Sequence, residues 1–174
     1  MLMIKKFAII FIAASVAAIS CKKNNTGCGY SFFNATASDS EVVALRDSLN
    51  AHGIHSFSTD PSGLFYTINN AGSGDTAVSP CSQITVTYTG KLLNGTTVDS
   101  TAANETATIT LGQVIEGWQK AIPMIGEGGE IIAYVPPTLA YGSQTVKDAG
   151  GNVVIPPNSI LIFDIKVLLV KNPG

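Results

Sequence analysis

The chain reads as an α+β domain, a curved antiparallel β-sheet wrapped around one short α-helix. Three observations lead there. From Gly63 onward the sequence is a series of short alternating apolar stretches separated by Gly, Asn and Pro turns. One helical segment, residues 114–122, interrupts them: Ile115, Trp118 and Ile122 fall on one face, and Pro123 disfavours continuation. A lone short helix among such strands fits across the concave side of the sheet, with Trp118, the single tryptophan, pointing inward. Aromatic residues at helical spacing are most often plain core, so these features leave Trp118 open between packing and a site.

The strands follow in order. Residues 64–69 form a short strand ended by Asn70, Gly72 and Gly74. Ile84, Val86 and Tyr88 alternate with Thr85, Thr87 and Thr89, the pattern of a half-buried strand. Asn94-Gly95 is a strong hairpin signal, and residues 96–99 return from it. Ala107, Ile109 and Leu111 alternate with Thr106, Thr108 and Thr110. Residues 130–135 make a strand stopped by Pro136-Pro137. In the last strand Leu161, Phe163, Ile165, Val167 and Leu169 define one apolar face, with Asp164 and Lys166 on the other. Between residues 140 and 159 lies a long loop with Gly142, Gly150 and Gly151. Loops of that length are usually functional, and this one is expected to overhang the concave face.

The N-terminal part divides differently. In residues 1–20, Lys5 and Lys6 precede an apolar run with the layout of a secretory signal, too short for a comfortable membrane span. Ala18-Ile19-Ser20-Cys21 resembles a bacterial lipoprotein cleavage box, which implies that Cys21 is lipidated and anchors the protein to a membrane. Each buried CH₂ of an acyl chain contributes about 0.8 kcal/mol. The alternative is a secreted protein with a spare cysteine. Residues 21–37 are rich in Asn, Thr, Gly and Ser and read as a flexible lipidated tether. Residues 38–62 form a helical extension. Ser38 and Glu41 have capping-box spacing, Val42, Leu45 and Leu49 make an apolar stripe, and Gly53 fits the terminating position. Residues 63–174 remain for the sheet domain.

Cys28 and Cys81 are the pair left after Cys21. Export favours a disulfide between them, although sequence does not give their separation. His52 and His55 could join them around a metal, but no CxxC or HxxxH spacing supports a metal site. Removing Lys5 and Lys6 with the signal takes the formal charge from -2 to -4. No basic patch is left, so nucleic acid is not an expected partner.

Five motifs in order spell a family: Val86-Thr87-Tyr88-Thr89-Gly90, Asn94-Gly95-Thr96-Thr97-Val98-Asp99-Ser100, Leu111-Gly112-Gln113-Val114-Ile115-Glu116-Gly117-Trp118, Leu139-Ala140-Tyr141-Gly142 and Ile155-Pro156-Pro157-Asn158. From about residue 63 to 171 the chain resembles the FKBP-type peptidyl-prolyl cis-trans isomerases. The resemblance implies an apolar pocket for a proline ring. Its floor is Trp118, and Tyr88, Phe163, Val114 and Ile115 line the walls. Ile155 lies at the edge, and Val98 and Ala107 border the pocket. The Ile115 N–H and the Tyr141 hydroxyl are the implied donors to substrate carbonyls, and Asp99 sits at the rim. Asp99 also suits a purely structural role after the hairpin.

These residue types fit the implied reaction. Resonance holds the amide planar behind a barrier of about 18–20 kcal/mol. Twisting reduces charge on the carbonyl oxygen, so an apolar pocket favours the twisted form over the planar ones, and tighter binding of that form is sufficient for catalysis. No cofactor, metal or nucleophile is called for. Two positions depart from the family: Val98 where Phe is most common and Ala107 where an aromatic residue often stands. They imply a wider site, modest turnover and doubtful binding of macrolide inhibitors. Two functions therefore compete. One is an isomerase assisting the folding of proline-containing unfolded or nascent exported proteins in the cell envelope. The other is a chaperone-like module that binds proline-containing segments with little or no catalysis. A hydrolase is a poor third, since both histidines precede the sheet and no serine elbow is present.

Overall fold

The computed structural model describes residues 28–173. The signal run and Cys21 lie outside the described residues.

A single antiparallel sheet organises the molecule. Its strands are β1 (Ser58–Thr59), β2 (Phe65–Asn70), β3 (Gln83–Leu92), β4 (Thr97–Ser100), β5 (Ala107–Thr110), β6 (Glu130–Val135) and a long final strand, Leu161–Lys171, which is β9 in chain order after the hairpin β7 (Val146–Lys147) and β8 (Val153–Ile155). The order across the sheet is β1-β2-β6-β9-β3-β4. β5 and β4 share the outer edge of β3 in tandem, β5 against Gln83 to Val86 and β4 against Thr89 to Lys91.

Period-two alternation divides the side chains between two faces. Ile84, Val86 and Tyr88 of β3, Ile131, Ala133 and Val135 of β6, and Leu161, Phe163, Ile165 and Val167 of β9 are buried in one cluster on the inner face. The alternation breaks late in β9. A register shift between Thr85 and Val86 moves the pairing by one, so Val170 turns inward at 6% exposure and Leu169, expected inside, turns out at 55%.

The helix on the inner face is shorter than its sequence suggests. α2 spans Glu116–Ala121, after α1 (Asp39–Ala51) near the N-terminus. A 3₁₀ turn, Leu111–Gln113, precedes it, and Val114 and Ile115 are extended, Ile115 with φ −57° and ψ 153°. Pro123 does not end the helical path but sits in a second 3₁₀ turn, Ile122–Met124, where its missing N–H costs nothing. Gly117 lets α2 lie directly on the sheet. A Cβ there would sit 2.5 Å from Val135 Cγ1. The adjoining Trp118 is fully buried.

α1 covers the other face. Its capping box forms in both directions: Glu41 N–H donates to Ser38 Oγ at 3.3 Å, and Ser38 N–H to Glu41 Oε2 at 3.1 Å. Such caps contribute about 1 kcal/mol. Leu45 and Leu49 are buried against Phe65 and Tyr134, side chains that β2 and β6 turn away from the inner cluster.

Two expectations need correction. Residues 28–37 are not a free tether, because they pack on the domain. Ala37 is buried and donates to Ser62 O at 2.9 Å, the Tyr30 hydroxyl meets Gln113 Nε2, and Phe33 N–H reaches Gln119 Oε1 at 3.2 Å. Cys28 is joined to Cys81 with their α-carbons 5.7 Å apart, within the range a disulfide spans. The aromatic residues Tyr30, Phe32 and Phe33 distinguish this stretch from the polar run before it. The segment 140–159 is also not structureless. It contains the β7–β8 hairpin, whose turn is built on Asp148 Oδ1 accepting from the N–H groups of Gly150 and Asn152, both at 2.9 Å. Strands of two and three residues are too short to leave a periodic signal.

Candidate active site

The inner face gathers its aromatic rings around α2. The Trp118 indole meets Tyr88 edge-to-face, centroids 5.0 Å apart at 83°, and Phe163 likewise at 5.4 Å and 85°. Both rings stand nearly perpendicular to the buried indole. Each pair contributes about 0.5–1.5 kcal/mol beyond its buried area. Gly90 makes room for the Phe163 ring, since a Cβ there would lie 2.5 Å from its Cε1.

A β-bulge lies beside these rings in β4. Asp99 pairs with Gly90 and Thr97 with Lys91, leaving Val98 as the extra residue. A bulge releases neighbours from strict alternation. Val98 is buried in the inner cluster, and Asp99 Oδ2 accepts from the Tyr88 hydroxyl at 2.7 Å. Burial first, then donation to Asp99, pushes the Tyr88 hydroxyl far above its ordinary pKa. Burial first, then the negative Asp99, pushes Tyr141 up to about 12. Both tyrosines are therefore protonated donors at neutral pH.

Extended backbone before α2 supplies a third polar group. Ile115 caps the helix, its carbonyl accepting from the N–H groups of Trp118 at 3.0 Å and Gln119 at 3.3 Å. Its own N–H precedes the helical ladder and donates to no acceptor among the described residues.

Tyr88, Val98, Val114, Ile115, Trp118, Tyr141, Ile155 and Phe163 fall in one buried cluster, and Ala107, paired with Val86, packs partly buried against it. Asp99 joins them through Tyr88. His52 bonds Ser48 O and His55 bonds Asn50 Oδ1, both at α1. Among the described residues no group of three or more His, Cys, Asp or Glu is placed to hold a metal.

The family model of the FKBP-type peptidyl-prolyl cis-trans isomerases matches residues 74–168. The chain belongs to this family. Among curated FKBP relatives, it is 43% identical over 112 residues to the FKBP-type peptidyl-prolyl cis-trans isomerase FkpA of Buchnera aphidicola, covering 64% of this chain and 42% of the relative. It is 37% identical over 150 residues to the outer membrane protein MIP of Legionella longbeachae, covering 86% and 55%. Among solved structures, FkpA from Escherichia coli superposes with a TM-score of 0.63 at 30% identity, covering 76% of this chain and 60% of that one. AtFKBP13 superposes at 0.60 and 36%, covering 67% and 100%. The chain spans about two fifths to a little over half of the length of the curated bacterial relatives named here. The fold is thus FKBP-like, a curved antiparallel sheet around a helix.

Sequence reading passed over one buried polar residue on α2 beside these side chains. Gln119 is 2% exposed, and its Nε2 donates to Val114 O at 2.9 Å. Helical side chains lean toward the helix N-terminus, so a glutamine four residues after the cap can reach the carbonyl before it. That spacing was readable; the buried partner was not.

Proposed function

We propose that this chain is a peptidyl-prolyl cis-trans isomerase acting on X-Pro bonds of unfolded or nascent exported proteins. The observation that carries the reading is the upright Tyr88 and Phe163 pair on the buried Trp118 floor, beside the Tyr88–Asp99 hydrogen bond. An apolar slot of this shape suits a proline ring, and nearby donors suit the flanking carbonyls. Ile115 N–H and the Tyr141 hydroxyl hold the substrate, and Asp99 faces the carbonyl that rotates. Dry surroundings disfavour the planar, more charge-separated amide, and the site gains rate by binding the twisted one better. Val98, Ala107, Val114 and Ile155 complete the lining.

Around that core, Cys21 is the lipid attachment point and the mature protein works in the bacterial envelope. The lipoprotein-like box supports this reading, as does the name of the outer membrane relative. The Cys28–Cys81 pairing fits an oxidising compartment. No helix of the described residues is long and apolar enough to cross a membrane.

A protease-coupled or NMR exchange assay of the full chain on an X-Pro peptide tests the reaction. Acceleration blocked by an excess of competing proline peptide is the expected result. A second reading, peptide binding with little turnover, is favoured by the aliphatic Val98 and Ala107. Peptide binding without acceleration would select it.

A further inference from the structure

We infer that Gln119 is a positioning residue for the Ile115 N–H, and that the N-terminal segment 28–37 holds Gln119 in place. This rests on the reading of Ile115 N–H as a substrate donor.

Gln119 uses both ends of its amide. Nε2 donates to Val114 O at 2.9 Å, and Oε1 accepts from Phe33 N–H at 3.2 Å. Reversing the amide would set an N–H₂ against an N–H and an oxygen against an oxygen, so the two partners fix one orientation. Val114 C=O and Ile115 N–H belong to the same peptide group. In a planar trans peptide they point in opposite directions. A donor that grips the carbonyl from behind therefore aims the N–H forward and restrains the whole unit. It also polarises the unit, because hydrogen bonds in series strengthen one another by about 10–30% each. A glutamine that is 2% exposed and spans two main-chain groups from different segments serves neither solvent nor helix propensity.

The N-terminal segment closes the arrangement. Phe33 N–H holds the far end of the amide, Tyr30 packs on Gly112 and bonds Gln113 through its hydroxyl, and the Cys28–Cys81 bridge ties the segment down. Residues 111–115 are thus gripped from outside as well as through Gln119.

The full chain is ¹⁵N-labelled and compared with Gln119→Leu, with Gln119→Met as a variant of closer length, and with Phe33→Pro, which removes the N–H at the far end of the amide. Two quantities are read: kcat/KM on a Leu-Pro peptide, and the Ile115 amide ¹⁵N shift, which reports hydrogen bonding at the preceding carbonyl. Both Gln119 variants are expected to lose about five- to tenfold in kcat/KM, with the Ile115 resonance moved upfield. Phe33→Pro is expected to move both in the same direction by less. A merely structural glutamine would lower the melting temperature and leave that resonance and kcat/KM of the folded protein alone, which overturns the inference. In the wild type, added peptide must shift the Ile115 resonance. No shift overturns the site reading and the inference together, whereas a shift that survives unchanged in the Gln119 variants, with full activity, overturns the inference alone.

Discussion

The two faces of the sheet carry two apolar clusters of different character. On the outer face, Leu45 and Leu49 of α1 cover Phe65 and Tyr134, Phe57 stacks on Phe65 at 4.9 Å, and the Arg46 guanidinium lies 5.6 Å over the Phe65 ring. On the inner face, Trp118 is equally buried, yet neither its Nε1 nor the Ile115 N–H has a hydrogen-bond partner among the described residues, while the Tyr88 hydroxyl donates to Asp99, whose charge also raises the pKa of Tyr141. Burial alone does not separate them. What separates them is polar capacity: buried polar groups are ordinarily satisfied, so two donors without a partner among the described residues, Trp118 Nε1 and Ile115 N–H, set the inner face apart. Farther along the outer face, a cleft of about 600 Å³ lies among Thr87, Thr89, Glu130, Asp164 and Lys166. Tyr88, Ala102 and Ala103 also line it, so its surface mixes polar and apolar groups.

Truncation on each face should break the comparison most sharply. Phe65→Ala and Trp118→Ala each remove a fully buried ring, and each is expected to cost about 3–5 kcal/mol of stability. Denaturant unfolding measures that loss. Isomerase rate normalised to folded protein then divides the faces: Phe65→Ala keeps its kcat/KM, and Trp118→Ala loses nearly all of it. Equal loss in both would mean that the inner face has no special role.

The next effect belongs to the staple. Cys28 and Cys81 are 53 residues apart, and a loop of that order contributes nominally about 4 kcal/mol when closed. The Cys28→Ser, Cys81→Ser double variant should lose a few kcal/mol in unfolding experiments and a smaller part of its activity. Free-thiol labelling of the unreduced, denatured parent checks the premise, since two reactive thiols would remove the bridge.

Much of this was legible beforehand, for physical reasons. The capping box at Ser38, the Asn94-Gly95 turn and the threonine-interleaved strands are local signals, and local signals survive without tertiary context. The ring set at Tyr88, Trp118 and Phe163 was legible through family motifs rather than through periodicity. Three features were not. Leu169 and Val170 exchange faces at a bulge whose cause lies across the sheet at Thr85 and Val86. Val114 and Ile115 look helical by spacing but are extended. Residues 28–37 look like linker by composition, yet Tyr30 and Phe33 find partners some 80 residues away along the chain, at sequence separations of 83 and 86. Each depends on non-local contacts that no window of sequence contains.

Rim substitutions sharpen the comparison with smaller effects. Tyr141→Phe and Asp99→Ala should each lower kcat/KM about tenfold, the consequence of losing roughly 1–2 kcal/mol of transition-state hydrogen bonding. Stability should change less than activity, and full activity in both variants would place the chemistry elsewhere. The alkaline limb gives a second test of Tyr141. Its folded pKa is raised to about 12 by burial and by Asp99, so the folded state resists its ionisation. That contribution to stability is complete below the ordinary tyrosine value near 10 and is lost as pH rises toward 12. Unfolding measured from pH 9 to 12 should therefore slope downward less steeply in Tyr141→Phe than in the parent.

The smallest effect is expected at Val98. It is the extra residue of the β4 bulge and is 8% exposed in the cluster with Tyr88 and Trp118. The side chain is mostly enclosed, so Val98→Phe cannot simply add its full extra area to the substrate. If about half of an added 40–60 Å² reaches the residue before proline, the gain is roughly 0.5–0.8 kcal/mol at about 25 cal/mol per Å². Only the share realised with the twisted amide accelerates the reaction. The expected outcome is a two- to threefold rise in kcat/KM for Leu-Pro and Phe-Pro peptides, little change for Ala-Pro and Glu-Pro, and a stability loss of about 1 kcal/mol from the crowded bulge. Parallel kinetics on the four peptides, with a melting curve of the same variant, separate the outcomes. A larger stability loss with no preference among peptides would assign Val98 to the packing of the inner cluster alone, and would leave the substrate contacts to Asp99 and Tyr141.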